Sequence, residues 1–98
     1  MDVEFLDIAE YELDDAFEYY EKIHTGLGHR FVAELEKSIT RMVLNPRAWQ
    51  ASSVFTHRCL INRFPYSIIY QIRTDVILII AIACNHQKPN YWIRRVGI

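Results

Sequence analysis

Ninety-eight residues, 51% apolar and 13% aromatic with only three Gly and three Pro, make one folded domain spanning 1–98 and leave no room for a second. Disorder, low-complexity repeats and solenoids are excluded on the same grounds. The net charge of −1 hides an asymmetry: residues 1–50 hold eleven acids and five bases, and residues 51–98 hold one acid and six bases.

Val3–Ile8 alternates in part and reads as a first strand. Asp7 with Glu10 three residues later resembles a capping box, so a helix is predicted to start there. Leu13, Ala16, Phe17, Tyr20 and Ile23 form its apolar stripe, and Gly26 or Gly28 closes the turn that follows. A second stripe runs through Phe31, Leu35, Ile39 and Met42, with Val32 and Val43 beside it, and stops before Pro46. Two helices joined by a short turn form an antiparallel hairpin. Pro46–Ser53 reads as loop, with Trp49 as a lid on the core. His57–Arg63, Ser67–Arg73 and Val76–Cys84 are β-rich and closely spaced, which predicts a three-stranded antiparallel meander. In the middle strand Ile68, Tyr70 and Ile72 share one face. The last strand is apolar on both faces, as a strand covered on both sides must be. The order β-α-α-β-β-β predicts an α+β fold, with the helical hairpin packed on an antiparallel sheet.

Met1-Asp2-Val3-Glu4 is acidic where a secretory signal is basic, and the longest apolar run has nine residues against about twenty for a membrane helix. Two cysteines do not form a disulfide framework. The expectation is a soluble cytoplasmic domain with reduced, structural thiols and no membrane partner. Phosphate-loop, zinc-protease and nucleophile-elbow motifs are absent, so no cofactor is expected. His57-x-Cys59 and Cys84-x-His86 each place a thiol and an imidazole on one strand face. In a meander their strands lie about 10 Å apart, too far to share an ion whose ligands sit about 2 Å away. No metal site is expected. The basic residues are more informative. Arg63, Lys88, Arg94 and Arg95 can share a sheet rim with Tyr91 and Trp92, an arrangement suited to phosphates and unstacked bases or to an acidic protein.

Leu13…Ala16…Tyr19-Tyr20-Glu21, Gly26-Leu27-Gly28…Phe31…Glu34-Leu35 and Pro46…Trp49 resemble the helical hairpin of the RelE/ParE toxins of type II toxin–antitoxin systems. Arg58-Cys59-Leu60…Arg63-Phe64-Pro65-Tyr66…Ile69-Tyr70, Ile79…Ala81-Ile82-Ala83 and Pro89-x-Tyr91-Trp92…Arg95 resemble its sheet and tail. The resemblance runs along nearly the whole chain, and it implies plasmid stabilisation and growth inhibition as the activity. It also implies a cognate antitoxin and one of two targets: DNA gyrase, inhibited by protein binding, or messenger RNA cut on the ribosome. Cys84 and Gln87 stand where the family often has His and Arg, which weighs against RNA cleavage, as does the lack of overall basicity. The ParE-like branch is therefore expected. A nuclease would use Arg58, Arg63, His86 and Tyr91, and a decayed toxin would keep only antitoxin binding. Apolar groups left outside the core, Tyr11, Tyr19, Trp92 and Ile93, are expected to bind the partner, with Arg94 and Arg95 setting register and association rate.

Overall fold

The nine apolar residues Val76–Cys84 form a strand covered on both faces, by different parts of the chain. A computed structural model describes residues 1–96. They form β1 (Asp2–Phe5), α1 (Asp7–Ile23), α2 (Leu27–Leu44), β2 (Gln50–Ser53), β3 (Thr56–Leu60), β4 (Tyr66–Ile72) and β5 (Val76–Cys84), then a short 3₁₀ turn at Ile93–Arg95. The sheet order is β1-β5-β4-β3-β2; β1 runs parallel to β5 and the other pairs are antiparallel. The α+β fold with a helical hairpin on a sheet is thus present, built on five strands and a mixed sheet.

On the helical face, Ala9, Ala16 and Tyr20 of α1 and Phe31, Leu35 and Met42 of α2 pack on Cys59, Ile68, Tyr70, Ile77, Ile79 and Ile82. Aromatic rings fill one end: Phe64 lies edge-on to Tyr20 at 4.9 Å and to Phe31 at 5.2 Å between centroids. Tyr70 donates to the Pro46 carbonyl at 2.6 Å, which ties the loop after α2 to the sheet. On the other face, Ile69, Leu78, Ile80, Ala81 and Ala83 pack under Trp92 and Val96. A β-bulge reconciles the two faces. Ile69 pairs with Ala81 and Tyr70 with Ile79, so Ile80 is the extra residue. The bulge resets the alternation, which puts Ile80 and Ala81 on the same side and returns Ile82 to the helical side.

Several boundaries differ from the sequence reading. Asp7 does not cap α1; Leu6 is the N-cap and no side chain caps it. The Leu6 N–H donates to the Ile79 carbonyl while its own carbonyl accepts from Ala9 and Glu10, so the helix starts where the strand's last bond ends. Ile23, read as part of the apolar stripe, is 58% exposed. In α2 the buried positions are 28, 31, 35, 38 and 42, so Ser38 is buried and Ile39 only half-buried. The segment read as loop contains β2, which pairs with β3, and Trp49 before it is half-buried against the core. The strands read as His57–Arg63 and Ser67–Arg73 each run one residue earlier at their start, and β3 ends at Leu60. β4 does separate β3, which carries His57 and Cys59, from β5, which ends at Cys84 with His86 in the loop beyond it.

The hairpin turn is held by one carboxylate. Glu21 accepts from the backbone N–H groups of Gly26, Gly28 and His29 at 3.2, 2.8 and 3.4 Å, taking up donors that the start of α2 leaves free. The bond from Gly26, joined by those from Gly28 and His29, holds its carboxyl below the ordinary range. Gly26 itself has φ 91°, open to glycine without strain. Gly28 is needed for space: a Cβ there would lie 2.6 Å from the Phe17 carbonyl oxygen and 2.7 Å from Glu21 Cγ. Gly28→Ala is therefore expected to force α1 and α2 apart and cost about 1–3 kcal/mol. Denaturant unfolding of the variant checks this; an unchanged midpoint would mean the hairpin yields without cost.

Candidate functional site

Glu12 lies on α1 one turn before the buried Ala16, so its carboxylate is carried to the edge of the sheet. Oε1 accepts from the Ile82 N–H at 3.1 Å and from Arg95 Nη1 at 2.7 Å. Oε2 accepts from the Tyr91 hydroxyl at 2.5 Å and from Arg95 Nη2 at 3.1 Å. Arg95 Nη1 also donates to the Ile80 carbonyl at 3.2 Å, and its guanidinium lies over the Tyr91 ring, 5.1 Å from the centroid. The need for these bonds follows from the sheet. β1 stops pairing at Phe5, so the edge of β5 beyond Ile79 has lost its neighbouring strand. Glu12 and Arg95 supply the acceptor and donor that a longer β1 would have given to Ile82 and Ile80.

This network decides what Tyr91 and Arg95 can do. Burial pushes the Tyr91 phenol well above its ordinary range, and the hydrogen bond to Glu12 and the charge of Glu12 push it further. A phenol so held is a poor proton acceptor at neutral pH. Burial alone would lower Arg95, but the bonds and charge of Glu12 outweigh it and hold the guanidinium above its usual value. Beside the network opens a cleft of about 230 Å³, lined by Glu12, Asp15, Tyr19, Tyr66, Cys84 and Gln87. The Gln87 side-chain oxygen accepts from the Cys84 N–H at 3.1 Å. The two positions that depart from the family pattern therefore face a cleft that carries two carboxylates.

The expected site residues are dispersed. Arg63 lines a groove against α2. Arg58 alternates with the buried, helix-facing Cys59 and so points to the opposite side of the sheet. His86 is exposed in the loop after β5. Tyr91 is bound to Glu12. Of the expected partner-binding residues, Tyr11 and Tyr19 are 67% and 58% exposed on α1, and Ile93 and Arg94 are exposed in the tail. Trp92 is a correction: it is fully buried in the second core, because the tail folds back to cover β5. Arg95 is the other correction, since its charge is spent on Glu12 rather than offered to a partner. Cys59 is buried, and burial pushes its thiol up against the opposing pull of Arg41 and Ser38. Glu12 itself is a residue that the sequence reading does not single out.

A two-helix hairpin on a mixed five-stranded sheet is an α+β architecture, and the comparisons with known proteins give its class. Residues 3–89 match the family described as ParE toxin of type II toxin-antitoxin system, parDE. The chain belongs to that family, and is thus a type II toxin whose family implies an antitoxin partner. In fold it is similar to a chain of the chromosomal ParDE TA system from P. aeruginosa, with a TM-score of 0.75 and 16% identity over 86% of this chain and 95% of that one. Among curated proteins no relative is found by sequence. No helix among the described residues is long and apolar enough to cross a membrane.

Glu12→Ala is expected to cost about 3–5 kcal/mol, because it strands a partly buried guanidinium and leaves the Ile82 N–H unpaired. Tyr91→Phe, which removes one bond to a charged acceptor, should cost about 1–3 kcal/mol. Urea unfolding of both variants checks the order. Alkaline pH offers a separate check. Burial pushes Tyr20 and Tyr70 up to about 12 from 10.0, and Tyr91 higher still. Above pH 10 the unfolded chain releases phenolic protons that the folded chain keeps, so stability is whole below that value and falls as pH rises through 12. Unfolding midpoints that stay level across that window would contradict the assignment.

Proposed function

We propose that this toxin is a ParE-like inhibitor that acts in the cytoplasm by binding DNA gyrase, and that a cognate antitoxin neutralises it. The observation that supports binding over catalysis is the acidic cleft beside Cys84 and Gln87. Glu12 and Asp15 line it; Arg95 takes up the charge of Glu12, so a phosphate backbone there would meet the carboxylate of Asp15 and no cation in the lining. Arg58 and Arg63 project from opposite sides of the sheet, and Tyr91 holds its proton for Glu12. Such an arrangement lacks the convergent acid, base and charge-stabilising groups that cutting RNA requires.

A protein-binding toxin acts through exposed apolar anchors ringed by charge. Tyr11 and Tyr19 on α1, with Ile93 and Arg94 in the tail, are the anchors and charge proposed for the antitoxin.

Expression in a bacterial host is expected to arrest growth, induce the DNA-damage response and leave messenger RNA intact, with relief by the product of the adjacent small gene. Cleaved messenger RNA without DNA damage would favour the ribosome-dependent nuclease. Normal growth at verified folded expression would favour a decayed toxin that only binds its antitoxin. Association kinetics test the surface: Arg94→Glu should slow binding to that product and weaken its salt dependence, whereas Tyr19→Ala should mainly speed dissociation. Unchanged kinetics in both variants would place the interface elsewhere.

A further inference from the structure

A groove of about 560 Å³ lies between α2 and the turn that joins β3 to β4, lined by Leu27, Arg30, Ala33, Glu34, Lys37, Arg63 and Phe64. Arg30 and Lys37 stand seven residues apart on α2, two turns or about 10 Å along the helix. Arg63 enters the groove from the other wall. Lys37 pairs with Glu34 at 3.4 Å, but the lysine is 67% exposed, so the pair is weak and exchangeable. Among the described residues Arg30 and Arg63 have no ion-pair partner.

Arg63 is held with unusual firmness for a surface residue. Its φ of 71° lies in the left-handed region, where a side chain with a Cβ is disfavoured. The turn keeps it there. Phe64 is locked edge-on against Tyr20 and Phe31, the Ile61 N–H donates to the Tyr66 carbonyl at 3.0 Å, and the Tyr66 N–H donates to the Phe64 carbonyl at 2.8 Å. The groove therefore has an apolar floor, three cations and the single carboxylate of Glu34, with one of the cations on a strained but anchored backbone.

We infer that this groove binds a protein segment carrying two or three carboxylates around one apolar side chain. The apolar residue would sit on Leu27, Ala33 and Phe64, and the carboxylates would meet Arg30, Lys37 and Arg63. A nucleic-acid strand fits less well. Phe64 has its ring committed to the core, edge-on to Tyr20 and Phe31, and offers no free stacking face for a base. The inference rests on the reading of the toxin as one that acts through protein contacts, and it names a surface distinct from the anchors on α1 and the tail.

The probe is an end-capped synthetic peptide with one Leu flanked by Glu residues, compared with its Gln counterpart and with a short oligouridylate. Backbone amide spectra of the folded toxin locate binding, and fluorescence anisotropy measures it. The Glu peptide should shift the amides of Arg30, Ala33, Arg63 and Phe64, and it should bind about tenfold or more tightly than the Gln peptide, the factor for one lost bond to a charged group. Arg30→Gln and Arg63→Gly should each weaken it by a similar factor. Glycine suits the left-handed backbone, so the second variant keeps its fold. Shifts elsewhere, equal binding of the Gln peptide, or no binding by the Glu peptide would overturn the inference. Tighter binding of the oligouridylate to the same residues would overturn it in favour of nucleic acid. Gyrase inhibition by toxin that fails to bind the peptide would sink the groove alone, whereas peptide binding by toxin that leaves gyrase untouched would sink the gyrase target alone.

Discussion

Glu12 is a helical carboxylate that completes the hydrogen bonding of a strand to which it does not belong. It accepts four bonds, from the Ile82 backbone, the Tyr91 hydroxyl and both terminal nitrogens of Arg95. Each partner comes from a different part of the fold: β5, the loop after it, and the 3₁₀ turn at the tail. One residue thus joins the helical hairpin, the sheet and the tail. Its worth is not the Coulomb energy of an ion pair, because desolvating two charges cancels much of that. Its worth is that no group is left unmatched at a sheet edge where β1 has run out, and unmatched buried groups are the expensive ones.

The bulge at Ile80 and the tail are two halves of the same arrangement. The bulge makes Ile80 the extra residue of β5, and its carbonyl, on the edge that β1 no longer covers, accepts from Arg95. Once Arg95 is anchored there, the tail lies across the sheet and Trp92 covers Leu78, Ile80 and Ala81. A strand apolar on both faces needs a second cover, and a tail of a few residues provides it because Trp92 brings a large apolar surface for little length. The consequence for function is that the largest aromatic of the tail belongs to the core and not to an interface. Its neighbour Ile93 stays outside, beside the exposed Val54 and Phe55 of the β2–β3 turn.

Periodicity made the helices, the hairpin and the strong strands readable, since these depend on spacing within short windows. Gly26 and Asn45-Pro46 marked ends that local backbone chemistry enforces. What could not be read was set by distant partners. β1 pairs in parallel with a strand more than seventy residues away, and β2 holds only small or polar residues whose place as a strand is set by the edge of β3. The start of α1 was misplaced because a backbone bond to Ile79, and not the Asp7 side chain, fixes it. The site was legible in part. Arg63, Tyr91 and Arg95 stood out as polar groups beside aromatics, but nothing in the sequence joins Glu12 to residues some eighty positions later. A carboxylate at the flank of an amphipathic stripe has the same local signature whether it meets water or an arginine.

The charge asymmetry of the chain takes its meaning from where the fold puts each base. A sheet half with six bases and one acid could have formed one basic face. Instead Arg95 is neutralised by an acid from the helical half, Arg58 points away from the helices, and Arg63 turns toward them. These three cations are thereby separated rather than gathered on one face. A field divided in this way is too short-ranged to hold a polyanion along its length, since neighbouring charges of both signs cancel beyond about 10 Å at moderate salt. At contact distance each charge still counts in full, so the surface discriminates among partners by the spacing of their charges and anchors.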